Sequence, residues 1–342
     1  MSAADDEVQK EAAKSGLKII SEKEEKPQNQ EAVTDSAENK DDLDTFEIHE
    51  LEIPDRESED IDFEHCRIRK VRCLCLRNNL IKKLENFEPV AETLVDLDVY
   101  DNQITKVENL DCLVNLTVLD LSFNRIKRIE NLEKLTKLKK LFFVNNRVSK
   151  IENLDALVEL DMLELGSNKI RRVENIDRLT KLTQLYLGKN KIPTIENLEA
   201  LTNLTLLSIQ GNRLTKIQGL DKLVNLEQLY LSENGITEIG GLDNLPKLQI
   251  LDLAYNFITK IDHLAHLTEL EEFWFNDNKI SDWEQIDYLR ALKKLRTLYM
   301  ERNPIYYTDA ERTKHNPSYR RKIMLALPEL RQLDANLTGV GL

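Results

Sequence analysis

"LTVLDLSFNRIKRIENLEKL", residues 116–135, is the stretch whose spacing decides the fold. Leu119 and Leu121 alternate at the period of a strand and point inward, with Asp120 between them turned to solvent. Asn124 ends the strand. A buried carboxamide both donates and accepts, so it can satisfy backbone groups that the turn leaves without ladder partners, in its own segment and the adjacent one. Leu132, Leu135 and Leu138 follow at intervals of three, which suits a short 3₁₀ or helical arc better than a long α-helix.

Outward from this stretch the pattern L-x-x-L-x-L-x-x-N-x-I-x-x-I recurs, with its Asn at 79, 102, 124, 146, 168, 190, 212, 234, 256, 278 and 303. The eleven units are separated by 23 residues, then eight times by 22, then by 25. Such a period belongs to leucine-rich repeats, in which each unit supplies one short strand and stacks only on its neighbours. The expected fold is an α/β solenoid with a parallel sheet on the concave face and short 3₁₀ or helical arcs on the convex face. The expected organisation is an acidic disordered tail (1–41), an N-terminal cap with an incomplete first repeat (42–70), the eleven-repeat solenoid (71–305) and a C-terminal cap (306–342).

Both ends of a solenoid need covers. In "NPSYRRKIMLALP" (316–328), Asn316 reads as a helix N-cap, Pro317 as the first helical position, Ile323, Met324 and Leu327 as the apolar set, and Pro328 as the stop. "LRQLD" (330–334) reads as a final strand. At the other end, Phe46, Ile48, Leu51 and Ile53 could lie along the first repeat. "RIRKV" (67–71) looks like the late part of a repeat, yet Leu74 follows Val71 by 3 residues where Leu119 follows Val107 by 12, so an arc of nine residues looks lost.

The 342 residues are 41% hydrophobic and 32% charged, enough to bury a sizeable core. Residues 1–64 hold 22 Asp/Glu against 7 Lys/Arg, so this segment outweighs the total net charge of −13 and leaves about +2 for the rest. A near-neutral folded part behind an acidic arm argues against bulk nucleic-acid binding. No signal-peptide core and no run of about 18 apolar residues is present, so neither secretion nor a membrane is expected, and the localisation expected is nucleus and cytoplasm. Cys66, Cys73, Cys75 and Cys112 should then stay reduced.

The outward residue between the paired strand positions of successive repeats is Cys75, Asp98, Asp120, Phe142, Glu164, Tyr186, Ser208, Tyr230, Asp252, Trp274 and Tyr299. Stacked one every ~4.8 Å, Asp98 to Tyr299 would span on the order of 45 Å. A merely solvated face has no need of a Phe, a Trp and three Tyr among carboxylates; aromatic anchors ringed by charge are what interfaces use. Motifs of nucleotide-binding, hydrolase and metalloprotease sites are absent, and no cofactor is expected. His263 and His266 sit on the convex arc between leucines. His65, Cys66, Cys73 and Cys75 lack a second Cys/His pair at zinc spacing, so no metal is expected. The basic run at 125–140 reads as a solvated face.

The acidic tail, "HCRIRKV", the recurring "IENL" arcs, "LELGSNKIR", "YLGKNKI", "EFWFNDN", "ERNPI" and "YRRKIMLALPELRQLDA" together resemble the leucine-rich-repeat regulatory subunits of protein phosphatase 1, from about residue 42 to 336. The resemblance implies a non-enzymatic protein that grips the phosphatase catalytic subunit in its concave face, controls its maturation and activity, and serves in mitotic chromosome segregation. It also implies a monomer when free, able to join a ternary complex with a further phosphatase inhibitor. The positions matching the family's contacts are Asp120, Phe142, Glu164, Tyr186, Asp252, Glu272, Trp274 and Tyr299, to which the column adds Tyr230. Tyr186 stands where the family has phenylalanine, so its hydroxyl needs a partner. The short basic-x-(Val/Ile)-x-(Phe/Trp) docking peptide of many phosphatase partners is missing, since "KVRC" (70–73) lacks the aromatic. The rival reading is a repeat adaptor for another globular partner of spliceosomal or axonemal type.

Overall fold

The computed structural model describes residues 18–20, 48–52 and 71–339, the first two segments by backbone alone. Each repeat contributes one strand because leucines two apart leave the chain extended for three residues before the Asn turns it. In the unit Met1–Asn146 the strands are β1 (Lys18–Ile20), β2 (Ile48–Glu52), β3 (Val71–Cys75), β4 (Asp96–Asp98), β5 (Val118–Asp120) and β6 (Lys140–Phe142). From β2 onward they pair in parallel, each shifted by one repeat, as in Leu97↔Leu119 and Leu119↔Leu141.

The second unit, Arg147–Leu342, holds β7 (Met162–Glu164), β8 (Gln184–Tyr186), β9 (Leu206–Ser208), β10 (Gln228–Tyr230), β11 (Ile250–Asp252), β12 (Glu272–Trp274), β13 (Thr297–Tyr299), β14 (Gln332–Leu333) and β15 (Asn336–Leu337). Strands β7 to β14 are parallel, and β15 turns back antiparallel on β14. The boundary falls inside the run of repeats, after the ladder residue Asn146. Among the described residues no helix is long and apolar enough to cross a membrane.

The leucine spacing does what it predicts. Leu119, Leu121, Ile126, Ile129, Leu132, Leu135 and Leu138 are all fully buried. The arcs close by single i→i+3 turns, Leu135 N to Leu132 O at 2.9 Å and Leu138 N to Leu135 O at 3.0 Å. In most repeats the expected 3₁₀ or helical arc is no more than this. Longer pieces form where the Asn interval exceeds 22: 3₁₀ turns at Glu88–Val90 and Leu289–Ala291, and helix α1 (Gln285–Tyr288). The additional residues there supply the length that a helical turn needs.

The asparagines form the expected ladder. Asn124 Oδ1 accepts from Ile104 N of the preceding repeat at 2.9 Å, while its Nδ2 donates to Val99 O, Leu121 O and Ser122 O at 3.0–3.2 Å. Asn190 repeats this in the second unit with Ile170 N, Leu165 O, Leu187 O and Gly188 O. The residue before each ladder Asn is left-handed whatever its type, from Asp101 (φ 53°) to Phe123 (54°) and Tyr255 (53°). A second column of Asn follows in the arc, also left-handed, and ties each repeat back to the one before. Asn131 Nδ2 reaches Val107 O, and Asn197 Nδ2 reaches Val173 O, each at 2.7 Å. Gly219 occupies this position at φ +72°, and a Cβ there would stand 2.5 Å from Ile195 O.

Several expectations change. Val71 does not close an earlier arc. It begins β3, is fully buried, and fills the slot of Leu94 and Leu116, the first leucine of L-x-x-L, so no arc is missing before Leu74. Strand β1 lies in the tail expected to be disordered; "KII" holds adjacent β-branched residues, which favour extension. Asn316 is not the helix N-cap: helix α2 spans Tyr319–Ala326, and Asn316 closes the preceding turn by accepting from Ser318 N at 3.0 Å and Tyr319 N at 3.0 Å. The buried stripe of α2 is Tyr319 and Ile323 with Leu327 just beyond, and Met324 is only half-buried. The strand read at 330–334 forms only over Gln332–Leu333, with Gln332↔Thr297, and is not the last, since β15 follows it; Asp334 receives Met300 N and Glu301 N at 2.8 and 2.9 Å. Strand β2 pairs with β3 in the register Leu51↔Leu74, while Phe46, Ile53 and the rest of the proposed N-terminal cap lie outside the described residues.

Candidate protein-binding face

Strand register puts the outward residues in line. In the first unit, Cys75↔Asp98, Asp98↔Asp120 and Asp120↔Phe142 are direct cross-strand partners. Two carboxylates side by side repel, and the chain answers in two ways. Each folds onto its own strand end, Asp98 Oδ1 accepting from Tyr100 N at 3.0 Å and Asp120 Oδ1 from Ser122 N at 2.8 Å. Arg77 then bonds Asp98 through Nε and lies 3.7 Å from Asp120. Burial raises the Asp120 carboxyl above its ordinary value, the Ser122 hydrogen bonds pull it back, and Asp98 adds to the rise. Arg77 also covers the Tyr100 ring at 5.0 Å, and Tyr100 stacks on Phe123 at 4.7 Å. Phe142 is half-buried at the end of this row.

In the second unit the partners run Glu164↔Tyr186, Tyr186↔Ser208, Ser208↔Tyr230, Tyr230↔Asp252, Asp252↔Trp274 and Trp274↔Tyr299. Tyr186 finds a partner for the hydroxyl that sequence left open: it donates to Gln184 Oε1 at 3.1 Å, and Tyr230 does the same to Gln228. Burial raises both phenols, helped by Glu164 at Tyr186 and by Glu272 and Asp252 at Tyr230. Glu272 sits two residues before Trp274, on the same side of β12.

Two column positions are not solvent-facing. Ser208 is buried, and Asp252 is only 5% exposed. The rings explain Asp252. Strands β10 and β12 flank β11 and stand about 9.6 Å apart, twice the strand spacing. Yet the Tyr230 and Trp274 ring centroids are 6.3 Å apart, edge to face, so the rings lean together over Asp252. Beneath this roof burial raises the Asp252 carboxyl, against the pull of hydrogen bonds from the Ser232 side chain and from Ala254 N at 3.0 Å. Trp274 also meets Tyr299 edge-on at 5.8 Å. It is therefore half-buried, not freely exposed, and its indole Nε1 is buried without a hydrogen-bond partner. Gly166 and Gly188 follow this row and are buried, with the Gln210 side chain packed against Gly188.

The two arc histidines take structural places. His266 Nε2 sits 3.0 Å from Leu242 O, and His263 holds a left-handed turn. Cys73 and Cys75 are half-buried strand residues, while His65 and Cys66 lie outside the described residues.

The family described as Leucine Rich repeats (2 copies) matches residues 92–134, 114–156, 202–244 and 224–266. An internalin, InlF of Listeria monocytogenes, superposes with a TM-score of 0.64 over 84% of this chain and 86% of its own, at 22% identity, a likeness of fold alone. In fold, the chain is a leucine-rich-repeat solenoid. This leucine-rich-repeat solenoid also has homologues among curated regulatory subunits of protein phosphatase 1. It is 44% identical over 88 residues to the regulatory subunit SDS22 of Saccharomyces cerevisiae, covering 25% of each chain. Over 76 residues it is 47% identical to that of Schizosaccharomyces pombe, covering 22% of this chain and 21% of the relative. The repeat protein thus matches about a quarter or less of the length of these relatives.

Proposed function

We propose that the chain is a non-catalytic regulatory subunit of protein phosphatase 1 that binds the catalytic subunit with the open face of its strands. Asp120 and Phe142 serve from the first unit, and Glu164, Tyr186, Tyr230, Asp252, Glu272, Trp274 and Tyr299 from the second. The observation that carries this reading is the Tyr230–Trp274–Tyr299 row, three rings edge to face around a buried, unpartnered indole N–H. A buried donor without an acceptor costs roughly 1–3 kcal/mol, which an incoming carbonyl or carboxylate would recover once the flanking rings part to admit it. The homologues' names supply the partner. On this reading the chain controls maturation, activity and the mitotic role of the phosphatase, in nucleus and cytoplasm, as a monomer when free, and joins a ternary complex with a further inhibitor. It has no nucleic-acid or membrane partner.

Affinity for the catalytic subunit, measured by calorimetry, tests this. Trp274→Ala should lose about 2–4 kcal/mol, or ~30- to 1,000-fold. Its melting temperature should also fall modestly, because two ring contacts of about 0.5–1.5 kcal/mol each disappear. Glu164→Lys should weaken binding by reversing a charge on the face, and Lys134→Glu on the exposed arc should change neither property. Parent-like affinity in a folded Trp274→Ala protein would remove the face from consideration.

A further inference from the structure

The residue after each ladder Asn forms a second column, on the turn edge of the sheet. In the unit Arg147–Leu342 its members are Arg147, Lys169, Lys191, Arg213, then Gly235, Phe257 and Lys279, with Pro304 closing the column. Backbone bonds fix them in register: Lys169 N donates to Val148 O, Lys191 N to Ile170 O, Arg213 N to Ile192 O, Phe257 N to Ile236 O and Lys279 N to Ile258 O, all at 2.8–2.9 Å. Equivalent positions on successive strands lie about 5 Å apart. Among the described residues none of these five cations has a carboxylate within ion-pair distance. By contrast, Arg172 next to the row is paired with Glu196 at 2.9 Å.

The row ends on aromatic surface that the fold does not ask for. Phe257 is 53% exposed where four earlier repeats of this unit place Arg or Lys and one places Gly, and Lys279 Nζ lies over its ring at 5.5 Å. Tyr255, 50% exposed, occupies the left-handed position at φ 53° that Ser167, Gly211 and Asp277 fill elsewhere. The turn imposes this conformation in every repeat, so what sets Tyr255 apart is its exposed ring beside Phe257.

We infer that this edge is a docking strip for an extended acidic segment of a partner protein, with a large aromatic or aliphatic residue at the end that meets Phe257. Charge complementarity names the occupant: a row of unneutralised cations at one end, and an apolar shelf flanked by Lys279 and Arg302 at the other. Arg302 is already satisfied by Asp277 at 2.8 Å, so it braces the Tyr255 ring and does not compete for the ligand. A nucleic acid fits less well. No aromatic side chain interleaves the cations from Arg147 to Arg213 to stack bases, and the whole chain carries −13. The inference does not depend on the phosphatase reading, because the turn edge and the open strand face use different side chains.

Fluorescence anisotropy on the full chain, with a labelled ten-residue Asp/Glu peptide ending in Phe, tests it against a Ser-ended peptide and a single-stranded ten-nucleotide DNA. Binding should weaken ~10-fold or more between 50 and 200 mM salt. Lys169→Glu/Arg213→Glu should weaken it ~30-fold or more, and Phe257→Ser ~5- to 10-fold for the Phe-ended peptide alone. Tyr255→Asn should weaken the same peptide while holding or raising the melting temperature, since Asn accepts the left-handed backbone. Melting curves of all variants establish that they are folded. Equal affinity of the charge-reversed and parent proteins overturns the inference, as does tighter binding of the DNA with the same sensitivity to these variants.

Discussion

Asp252 lies under two leaning rings, and burial raises its carboxyl while the Ser232 side chain and the Ala254 N–H hold the charged form. A carboxyl raised on folding contributes stability that is complete below the unfolded value of about 3.9 and is lost as pH climbs through the folded value. At neutral pH the charge is therefore a cost. Asp252→Asn keeps an oxygen for Ala254 N and removes that charge. It should be more stable than the parent at pH 7, with the difference closing below about pH 4; urea denaturation at both pH values checks this, and identical midpoints at pH 7 would count against the roof. Alternation along β11 made the outward direction of Asp252 legible from sequence. Its burial was not, because that depends on how rings from strands on either side tilt, and tilt leaves no mark in the residue pattern.

At the scale of one repeat, the Asn ladder predicts its own failure. Asn168 Oδ1 accepts from Val148 N at 2.9 Å, and its Nδ2 reaches Leu165 O and Gly166 O at 3.1 Å. Asn168→Ala strands these groups inside the stack and should cost about 1–3 kcal/mol, read from thermal or denaturant melts. Gly219→Ala should also destabilise, since the new Cβ would meet Ile195 O at 2.5 Å on a left-handed backbone. The ladder could be read from sequence because a buried amide must have partners. The left-handed residue before it could not, since Asp101, Phe123 and Tyr255 share no chemistry; the turn imposes the conformation on whatever stands there. Asn316 and Val71 misled for a related reason. An Asn can close a turn as well as start a helix, and a valine three residues before a leucine fits two different slots of the same repeat.

For the whole molecule, charge is divided along the chain, with about −15 in residues 1–64 and about +2 after them. Removing 1–64 should carry the isoelectric point from about 5.1 to above neutrality, visible on a focusing gel. On the proposed function, affinity for the phosphatase catalytic subunit should stay within about twofold, because the binding side chains belong to the repeats; a large loss would move the binding site into the tail. The repeat number and the strand face were readable because both follow from periodicity. The division after Asn146 was not, since the 22-residue interval passes through it unchanged. That uniform interval also bears on descent. Each ladder Asn takes its bonds from backbone atoms that every repeat offers alike, so a block duplicated or lost by recombination between neighbouring copies meets the same complementary seam on both sides. Lineages can thus lengthen or shorten such a gene in whole-repeat steps without refitting the core, leaving the outward side chains as the text that selection edits.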